Sequence, residues 1–268
     1  DDLGFAGIWL RQINKPVALD ALIQAIPLGC AGLDIAVAPD SGSIALACDD
    51  GTIIIWETRT GQLISTLSGH GDRVTSVAYN VDGSRLLSGS RDQLVIVWDL
   101  RTNEEIARMT GHEGNVLCVM FVDDDVVASS SADRTIRFWS ISRREEMSQI
   151  ATQFRVNWIT SALDGAVLLA AVDRAIRVYR LPGGGLAHRL EEHRAAVTSI
   201  AVSPTAPLAA SGSSDNDVIL WDLKTWRLRY RLSGHTRGVA SVDFSPGGNL
   251  LASAGYDKAI IMWEIRTG

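Results

Sequence analysis

The sequence predicts an all-β chain made of six repeated units of about 42 residues. The first observation is an aromatic residue that recurs every 40 to 42 residues, at Trp56, Trp98, Trp139, Tyr179, Trp221 and Trp263. The second is an aspartate six residues before each of them, at Asp50, Asp92, Asp133, Asp173, Asp215 and Asp257. Six copies in one register indicate a repeat architecture rather than chance.

Each copy contains four strand-like runs. In the second copy these are "VTSVAY", "RLLSGS", "LVIVWD" and "EEIARMTG", and the turn signals "VDG", "SRD" and "RTN" separate them. No helical periodicity interrupts this pattern between residues 30 and 268. Because one four-stranded sheet cannot bury both of its faces alone, we expect the sheets to pack around an axis as the antiparallel blades of a β-propeller.

The composition is that of a globular chain without a general affinity for polyanions. Of its 268 residues 46% are hydrophobic, and the formal net charge is −6, so direct nucleic-acid binding is not expected. The most apolar window, "ALIQAIPLGCAGLDIAVA", contains Gln24, Pro27 and Asp34 and falls short of a membrane span. The chain begins at Asp1 without a signal-peptide pattern, and whether it is a piece of a longer protein stays open.

The cysteines and the one histidine outside the repeat pattern predict neither a metal site nor a cofactor. Cys30, Cys48 and Cys118 lie far apart, lack zinc-site spacing and are odd in number for a disulfide framework. A reducing compartment, cytoplasmic or nuclear, is therefore expected. His188 has no second ligand at a metal-like spacing, and "PGGG" (182–185) is interpreted as a permissive turn.

Four of the six copies add a histidine 21 or 22 residues before the aspartate and a serine four residues before it. The histidines are His70, His112, His193 and His235, and the serines are Ser88, Ser129, Ser211 and Ser253. A single Ser, His and Asp set could act as nucleophile, base and orienting group. An enzyme needs one such site, whereas this chain repeats the set beside an aromatic residue. We therefore expect scaffold at these positions, with no catalytic residues and no enzyme activity.

Gly-His followed by Trp-Asp at this period resembles the WD40-repeat family. "GHGDRVTSVAYNVDGSRLLSGSRDQLVIVWD" (69–99) and "GHTRGVASVDFSPGGNLLASAGYDKAIIMWE" (234–264) match nearly every marker position, and the resemblance covers residues 30–268. It implies a buried hydrogen-bond chain from Trp to Ser to His to Asp in each complete copy. These structural tetrads would be His70, Ser88, Asp92 and Trp98; His112, Ser129, Asp133 and Trp139; His193, Ser211, Asp215 and Trp221; and His235, Ser253, Asp257 and Trp263.

The fourth copy departs from the repeat. It lacks Gly-His, has Leu169 at the serine position and Tyr179 for tryptophan, and carries Trp158 where other copies have a small residue. One interpretation is a decayed blade in which Trp158 refills the space of the missing tetrad. The other is a recognition patch of Trp158 and Arg155, since exposed Trp and Arg are favoured binding anchors. The first copy is also irregular, with Asp34 at the small-residue position.

The resemblance implies that partners dock on loops before the first strand and between the second and third strands of each blade. The partner-binding candidates on these loops and in the fourth copy are Asp72, Arg73, Arg91, Asn115, Arg155, Trp158, Arg194, Arg237 and Tyr256. The stretch "KTWRLRYRL" (224–232) alternates basic and aromatic residues, which can serve nucleic-acid binding. On a predicted outer strand we favour a charged edge that resists aggregation.

The ends of the chain divide it into two predicted parts. Residues 1–29 would supply N-terminal strands that close or extend the ring, and residues 30–268 would form the propeller. "ALIQAIPLG" (21–29) is the candidate fourth strand of the last blade, and "FAGIWLRQI" (5–13) is a further strand-like run. Six blades with an added strand, or a partial seventh blade completed by flanking sequence or by strands from a partner, both remain open.

These features predict a non-enzymatic protein–protein interaction scaffold, a WD40 propeller that acts as a subunit or domain of a larger assembly. Its partners would be other proteins or peptides. The alternative is a reader of specific peptides, for example phosphorylated ones, in which Arg73, Arg91, Arg155 and Arg237 would clamp anionic groups. Arginines clustered on one rim would favour the reader, and arginines scattered among acidic neighbours would contradict it.

Overall fold

The computed structural model describes residues 29–265. The strand-like run at residues 5–13 and, but for Gly29, the run at residues 21–29 lie outside the described residues, as does their predicted role in closing the ring. The described residues form 23 strands in six antiparallel sheets, of which five have four strands and one has three. The prediction of an all-β chain with six readable β-propeller blades is confirmed.

Within each blade the strands pair in chain order, so the first and last strands lie on opposite edges of the sheet. The strands of blades 1 to 3 are β1 (Gly32–Val37), β2 (Ser43–Cys48), β3 (Thr52–Glu57), β4 (Leu63–Ser68), β5 (Val74–Tyr79), β6 (Arg85–Ser90), β7 (Val95–Asp99), β8 (Glu104–Met109), β9 (Val116–Phe121), β10 (Val126–Ser131), β11 (Thr135–Ser140) and β12 (Glu145–Ala151). The strands of blades 4 to 6 are β13 (Val156–Ala162), β14 (Val167–Val172), β15 (Ala175–Arg180), β16 (Leu186–Leu190), β17 (Val197–Val202), β18 (Leu208–Ser213), β19 (Asp217–Asp222), β20 (Arg227–Ser233), β21 (Val239–Phe244), β22 (Leu250–Gly255) and β23 (Ile260–Glu264).

The residue types explain which strands are central and which are outer. The third strand β7, "VIVWD", is a run of β-branched and aromatic residues that is buried on both faces. The outer strand β8, "EEIARM", begins with two exposed glutamates and buries only Ala107 and Met109. A central strand can be apolar throughout because a neighbouring blade covers each of its faces.

A β-bulge recurs near the start of the first strand of each blade whose pairing is described. In blade 2, Val74 pairs with Ser90 and Ser76 pairs with Gly89, which leaves Thr75 as the extra residue. The register shifts in the same place immediately before Asp34, Trp158, Ser199 and Ser241. The bulge confirms the alignment that puts these residues at one position of the repeat.

In blades 2, 4 and 5 the bulged residue also ties its blade to the next one along the chain. Its side chain donates a hydrogen bond to the carbonyl oxygen at the start of the following blade. The donor and acceptor pairs are Thr75 and Val116, Asn157 and Val197, and Thr198 and Val239, each 2.7 Å apart. Hydroxyl and amide side chains can both make this link, so blade 4 keeps it without the threonine.

The described residues divide into two compact units, the first formed by residues 29–127 and 139–147 and the second by residues 128–138 and 148–265. In the first unit, one core cluster lies between blades 1 and 2 and a second between blade 2 and strands of blade 3. In the second unit, one core cluster lies between blades 4 and 5 and another between blades 5 and 6. Each core is therefore formed by one sheet packed against the next.

The strand register of blade 4 corrects one detail of the sequence alignment. Counting along the sequence puts Leu169 at the serine position, but Ile159 pairs with Ala170 as Val77 of blade 2 pairs with Ser88. Ala170 therefore occupies the serine position, and the expectation for Leu169 was wrong. The cause is the turn between β14 and β15, which is one residue shorter than the turn between β6 and β7.

The cysteines show a second difference from the expectation. Cys30 and Cys48 are joined by a disulfide, with their Cα atoms 5.8 Å apart. The pairing of Gly32 with Cys48 and the hydrogen bond from Ala31 N to Asp49 Oδ1 bring Cys30 beside the end of β2. A sequence separation of 18 residues does not reveal this antiparallel pairing, which is why the odd cysteine count was misleading.

Candidate functional site

The tetrad of blade 2 is a continuous hydrogen-bonded chain. Trp98 Nε1 donates to Ser88 Oγ over 2.9 Å, and Ser88 Oγ lies 2.8 Å from His70 Nε2. His70 Nδ1 lies 2.9 Å from Asp92 Oδ2, which also accepts the backbone N–H of Gly71. The chain joins the third strand, the second strand and the two loops at one end of the blade.

The donor and acceptor capacity of each group determines where the protons lie in this hydrogen-bonded chain. An indole nitrogen can only donate, so Ser88 accepts from Trp98 and its own hydroxyl hydrogen is directed at His70 Nε2. The remaining ring proton of His70 is then on Nδ1, where it is donated to Asp92. Every polar atom of the chain has a partner, which is the condition under which a buried polar network specifies one geometry.

Burial and the carboxylate act in opposite directions on the histidine. Burial lowers the pKa of His70 below its ordinary value, and the attraction of the Asp92 carboxylate only partly opposes this. Burial alone would raise the pKa of Asp92, but the N–H of Gly71, His70 and the N–H of Leu94 together hold it below its ordinary value. The pair is therefore a neutral imidazole that donates to an ionised carboxylate at neutral pH.

The same chain recurs in blades 5 and 6. In blade 5 the Trp221–Ser211 and Ser211–His193 distances are both 2.8 Å, and His193 lies 3.0 Å from Asp215. In blade 6 the corresponding pairs are Trp263–Ser253 at 2.9 Å, Ser253–His235 at 2.8 Å and His235–Asp257 at 2.9 Å. In blade 3 the rings of His112 and Trp139 meet edge to face with centroids 5.7 Å apart, Ser129 is buried, and Asp133 accepts the N–H of Thr135.

The order of groups in these chains is that of a Ser-His-Asp catalytic triad, but the hydroxyl is not available for attack. Ser88, Ser211 and Ser253 are almost completely buried, and each already accepts the N–H of a tryptophan. A nucleophile must reach a substrate carbonyl, which a buried serine cannot do. The geometry is suited to holding the blade together.

Blade 4 has no such chain in its described contacts. Tyr179 is buried at the tryptophan position, and Ala170 at the serine position carries no hydroxyl. Trp158 is half-buried and packs against the core cluster between blades 4 and 5, while Arg155 is exposed. The contact of Trp158 with the core supports the interpretation that it fills space, and the exposure of Arg155 leaves that side chain accessible.

Asp34 replaces a serine that links neighbouring blades. Ser76 Oγ accepts the N–H of Val119 over 3.3 Å, and Asp34 Oδ2 accepts the corresponding N–H of Val77 over 3.0 Å. Burial raises the pKa of Asp34 to about 6, against hydrogen bonds from Val77 and Ile35 that lower it. Sequence reasoning identified Asp34 as irregular but missed this link, which the alignment of Asp34 with Ser76 could have suggested.

The predicted partner residues of the first unit lie together at one end of blade 2. Arg91 N donates to Arg73 O over 3.0 Å, so the loop before β5 and the β6–β7 turn are adjacent. Arg73, Arg91 and Asp72 are exposed, and Asn115 at the start of blade 3 is half-buried. The two arginines have acidic neighbours in Asp72 and in the tetrad aspartate Asp92.

In the second unit the structure brings Arg237 and Tyr256 to one place. Tyr256 N donates to Gly238 O over 2.8 Å, which sets the exposed Tyr256 ring beside the loop that carries Arg237. Arg194 is exposed on the loop before β17, and its backbone N–H caps Asp215. Arg155 and Trp158 belong to blade 4. Arg237 and Tyr256 therefore lie on adjacent loops of this unit.

One apolar surface on β1 was not expected from the sequence. Each first strand carries a β-branched residue at the same repeat position, and in blades 2, 3, 5 and 6 this residue packs in a core cluster with the preceding blade. In blades 2 to 6 these residues are no more than 5% exposed, and they are Val77, Val119, Ile159, Ile200 and Val242. In blade 1 the residue is Ile35, which is 60% exposed, and Val37 beside it is exposed as well.

A second uncovered apolar surface lies on β23. The residue just before the repeat aromatic is buried in blades 1 to 5, where it is Ile55, Val97, Phe138, Val178 and Leu220. In blade 6 it is Met262, which is 55% exposed. Ile260 on the same face is half-buried, whereas Val95 and Val218 at its position are fully buried. The sequence does not reveal this difference in exposure, because the residues of all six blades at these two positions are equally hydrophobic.

The described residues contain no helix long and apolar enough to cross a membrane. Nor do any three His, Cys, Asp or Glu side chains gather within residues 29–265 in a way that could hold a metal ion.

The repeats match a known family model. Four segments match the model described as "WD domain, G-beta repeat", at residues 61–99, 103–140, 184–222 and 226–264. Together they cover more than half of the chain, and each contains one complete His, Ser, Asp and Trp set. The first and fourth copies, which lack the histidine, fall outside the matched segments.

Relatives carry the same repeat. The chain is 31% identical over 199 residues to "Protein ROOT INITIATION DEFECTIVE 3" of Arabidopsis thaliana, which covers 66% of this chain and 45% of that protein. It is 36% identical over 185 residues to "Guanine nucleotide-binding protein subunit beta-5b" of Danio rerio, covering 66% and 47%. It is 27% identical over 236 residues to "Pre-mRNA-processing factor 19 homolog 2" of Arabidopsis thaliana, covering 81% and 40%. The chain thus spans less than half the length of these relatives. Its repeats, its blades and the family model agree, and the protein belongs to the WD40-repeat family.

Proposed function

We propose that the chain is a non-enzymatic interaction scaffold, a WD40 propeller that works as a subunit or domain of a larger protein assembly. The observation that carries the proposal is the exposure of Ile35 and Met262 at positions where the other blades bury their counterparts against a neighbouring sheet. Exposed aliphatic side chains at packing positions are typical of surfaces that another protein covers.

The covering element is a β-sheet or strand pair donated by a partner protein. The faces of β1 and β23 have the residue types of the blade–blade cores, so they are complementary to another sheet rather than to a small ligand. The tetrads have a structural role in this proposal. Their buried serines and histidines stabilise the blades that present the two faces.

Affinity purification with matched variants tests the proposal. The baits are the wild-type chain, Ile35→Asp, Met262→Asp and the control Val81→Asp, since Val81 is an 84% exposed residue in a turn. We expect stoichiometric partners with the wild type and the Val81→Asp control, and loss of partners with Ile35→Asp or Met262→Asp. Absence of stoichiometric partners, or partners that no face variant removes, would contradict the proposal.

A labelling experiment identifies the source of the cover. In the purified Ile35→Cys variant, a maleimide should react quickly when the chain is alone and slowly when the partner is bound. Slow reaction in the isolated chain would mean that the chain covers β1 with its own residues, and a partner-donated sheet would then be wrong for this face.

A further inference from the structure

The outer strand of blade 5 carries features that the proposed function does not use. β20, "RLRYRLS", pairs with β19 on one side, and its other edge has no partner strand among residues 29–265. Outside the bulge at Arg229, where the register with β19 shifts, this unpaired edge presents alternating N–H and C=O groups that can hydrogen-bond a further extended chain.

Two of its three arginines form no ion pair with a described carboxylate. Arg231 forms an ion pair with Asp217 at 2.9 Å and donates to the carbonyl oxygen of Glu192. Arg227 and Arg229 have no carboxylate within 4.0 Å in the described part of the chain. The pKa of Asp222 is lowered mainly by the N–H of Thr225, with a smaller effect of Arg229, and this carboxylate is already occupied by backbone donors.

An exposed aromatic ring lies beside these cations. Tyr230 is 52% exposed, and the guanidinium carbon of Arg229 lies 5.8 Å from the centroid of its ring. The cation–π contact orders a side chain that would otherwise be free in solvent. Tyr and Arg together are the residue types that most often anchor protein interfaces.

The residue before the strand has a backbone conformation that its side chain disfavours. In the turn between third and fourth strands, one residue has a positive φ in each of the first five blades; these residues are Gly61, Asn103, Arg144, Gly184 and Trp226. A bulky residue in the left-handed region is a genuine outlier. Trp226 is held there by stacking on His188, with ring centroids 4.7 Å apart, and by packing against the core between blades 4 and 5. The start of β20 is therefore fixed in place.

The charge of this edge sets it apart from other outer strands. β8 begins with Glu104 and Glu105, and β12 begins with Glu145 and Glu146. Edge charges repel strands of like charge and discourage non-specific pairing. A basic edge also distinguishes between incoming strands, because it attracts an acidic strand and repels a basic one.

We propose that the edge of β20 binds an extended acidic segment of a partner protein. The segment adds to blade 5 as a fifth strand, places carboxylates against Arg227 and Arg229, and packs an apolar side chain on Tyr230. A polypeptide is favoured over a nucleic acid because only a peptide backbone completes the hydrogen-bonded ladder. The residues of this site are not those of the faces of β1 and β23.

Fluorescence anisotropy with the intact chain tests the proposal. The probe is a labelled peptide of alternating glutamate and valine, about eight residues long. We expect saturable binding that the double variant Arg227→Glu/Arg229→Glu weakens by about 100-fold, because two charge-assisted contacts are lost. The control Arg59→Glu/Arg101→Glu makes the same charge change on loops of other blades and should leave the affinity within about two-fold.

Two further probes separate strand addition from simple charge attraction. A peptide N-methylated at alternate residues keeps its charge but loses half of its backbone donors, so we expect about ten-fold weaker binding. A single-stranded DNA of equal charge should bind more weakly than the peptide. If the charge-reversed variant fails to fold, the charge-neutral variant Arg227→Gln/Arg229→Gln replaces it in the binding measurement.

The proposal is overturned if the acidic peptide does not bind, if the arginine variants bind it as the wild type does, or if the DNA binds more tightly. These outcomes leave the affinity purification with face variants unaffected, so the two proposals stand or fall separately.

Discussion

Trp98 donates its indole N–H to the hydroxyl of Ser88 over 2.9 Å, and the two residues are ten positions apart on adjacent strands. Both are buried, so neither can replace the lost partner with water. The stability of the blade therefore depends on a hydroxyl that chemistry would otherwise identify as a nucleophile.

Ser88→Ala should lower the free energy of unfolding by about 2–4 kcal/mol, because the N–H of Trp98 and Nε2 of His70 are both left buried without a partner. Urea denaturation monitored by tryptophan fluorescence measures the change. Ser65→Ala is the matched control, since the buried Ser65 hydroxyl has no hydrogen-bond partner among residues 29–265, and its effect should be within about 0.5 kcal/mol. Equal effects of the two variants would refute the structural role of the tetrad.

Asp34→Asn should stabilise the protein at neutral pH. The pKa of Asp34 is raised to about 6 in the folded state, so its ionisation opposes folding, and stability is lost as the pH rises through about 6. The variant should match the wild type near pH 4 and gain about 1–2 kcal/mol by pH 7.5, with partial exposure limiting the gain. Urea midpoints at pH 4, 5.5 and 7.5 measure this.

A control of opposite sign is available in Asp82. Hydrogen bonds from Ser84 and Asn80 lower the pKa of this exposed carboxylate, so it contributes stability above its unfolded pKa. Asp82→Asn should therefore lose stability at neutral pH and recover it in acid. A stability difference between Asp34→Asn and wild type that does not change with pH would contradict the assignment.

Gly89→Ala should destabilise the protein by about 1–3 kcal/mol through overpacking. A Cβ at Gly89 would lie 2.5 Å from Val116 Cγ1 and 2.7 Å from Val119 Cγ1, both in the next blade. Gly71→Ala is the control, because no heavy atom lies within 4 Å of the added methyl group. Thermal melts of the two variants give the comparison, and an unchanged melting temperature for Gly89→Ala would mean that the blades pack less closely there.

Trp226→Ala and Trp226→Gly should differ in stability by about 1 kcal/mol in favour of glycine. Both variants remove the indole and its stack on His188. The difference between their stabilities therefore reports the cost of the left-handed backbone at this position, which has a φ of 57°. Chemical denaturation of the pair measures it. Equal stability would show that the chain relaxes out of this conformation when the indole is gone.

The sequence predicted the blades well because the pattern that defines them is local. Trp98 and Asp92 lie on one hairpin, and their spacing is set by the turn between β6 and β7. Where the structure differs, the cause is not local. Ala170 replaces Leu169 at the serine position because one residue is missing from a turn, and Cys30 meets Cys48 through strand pairing.

The candidate surfaces were harder to predict than the strands. Ile35 has the same hydrophobic character as Val77 and Ile200, and it differs from them only in being exposed. Arg229 and Tyr230 were recognised as a basic-aromatic stretch, but the free edge and the unpaired charge depend on which strands pair with β19. Whether a side chain is exposed depends on the residues that pack around it in the fold. The type of the residue alone does not reveal these neighbours.

The side-chain link from a bulged Thr or Asn to the next blade has a consequence for how such a chain changes length. Thr75 reaches Val116 and Thr198 reaches Val239, so within each unit every link joins only adjacent copies. A segment of one full period could be duplicated or deleted with the remaining links left intact. Gain or loss of a whole copy would therefore disturb the molecule less than a single inserted residue, which would displace a donor from its acceptor.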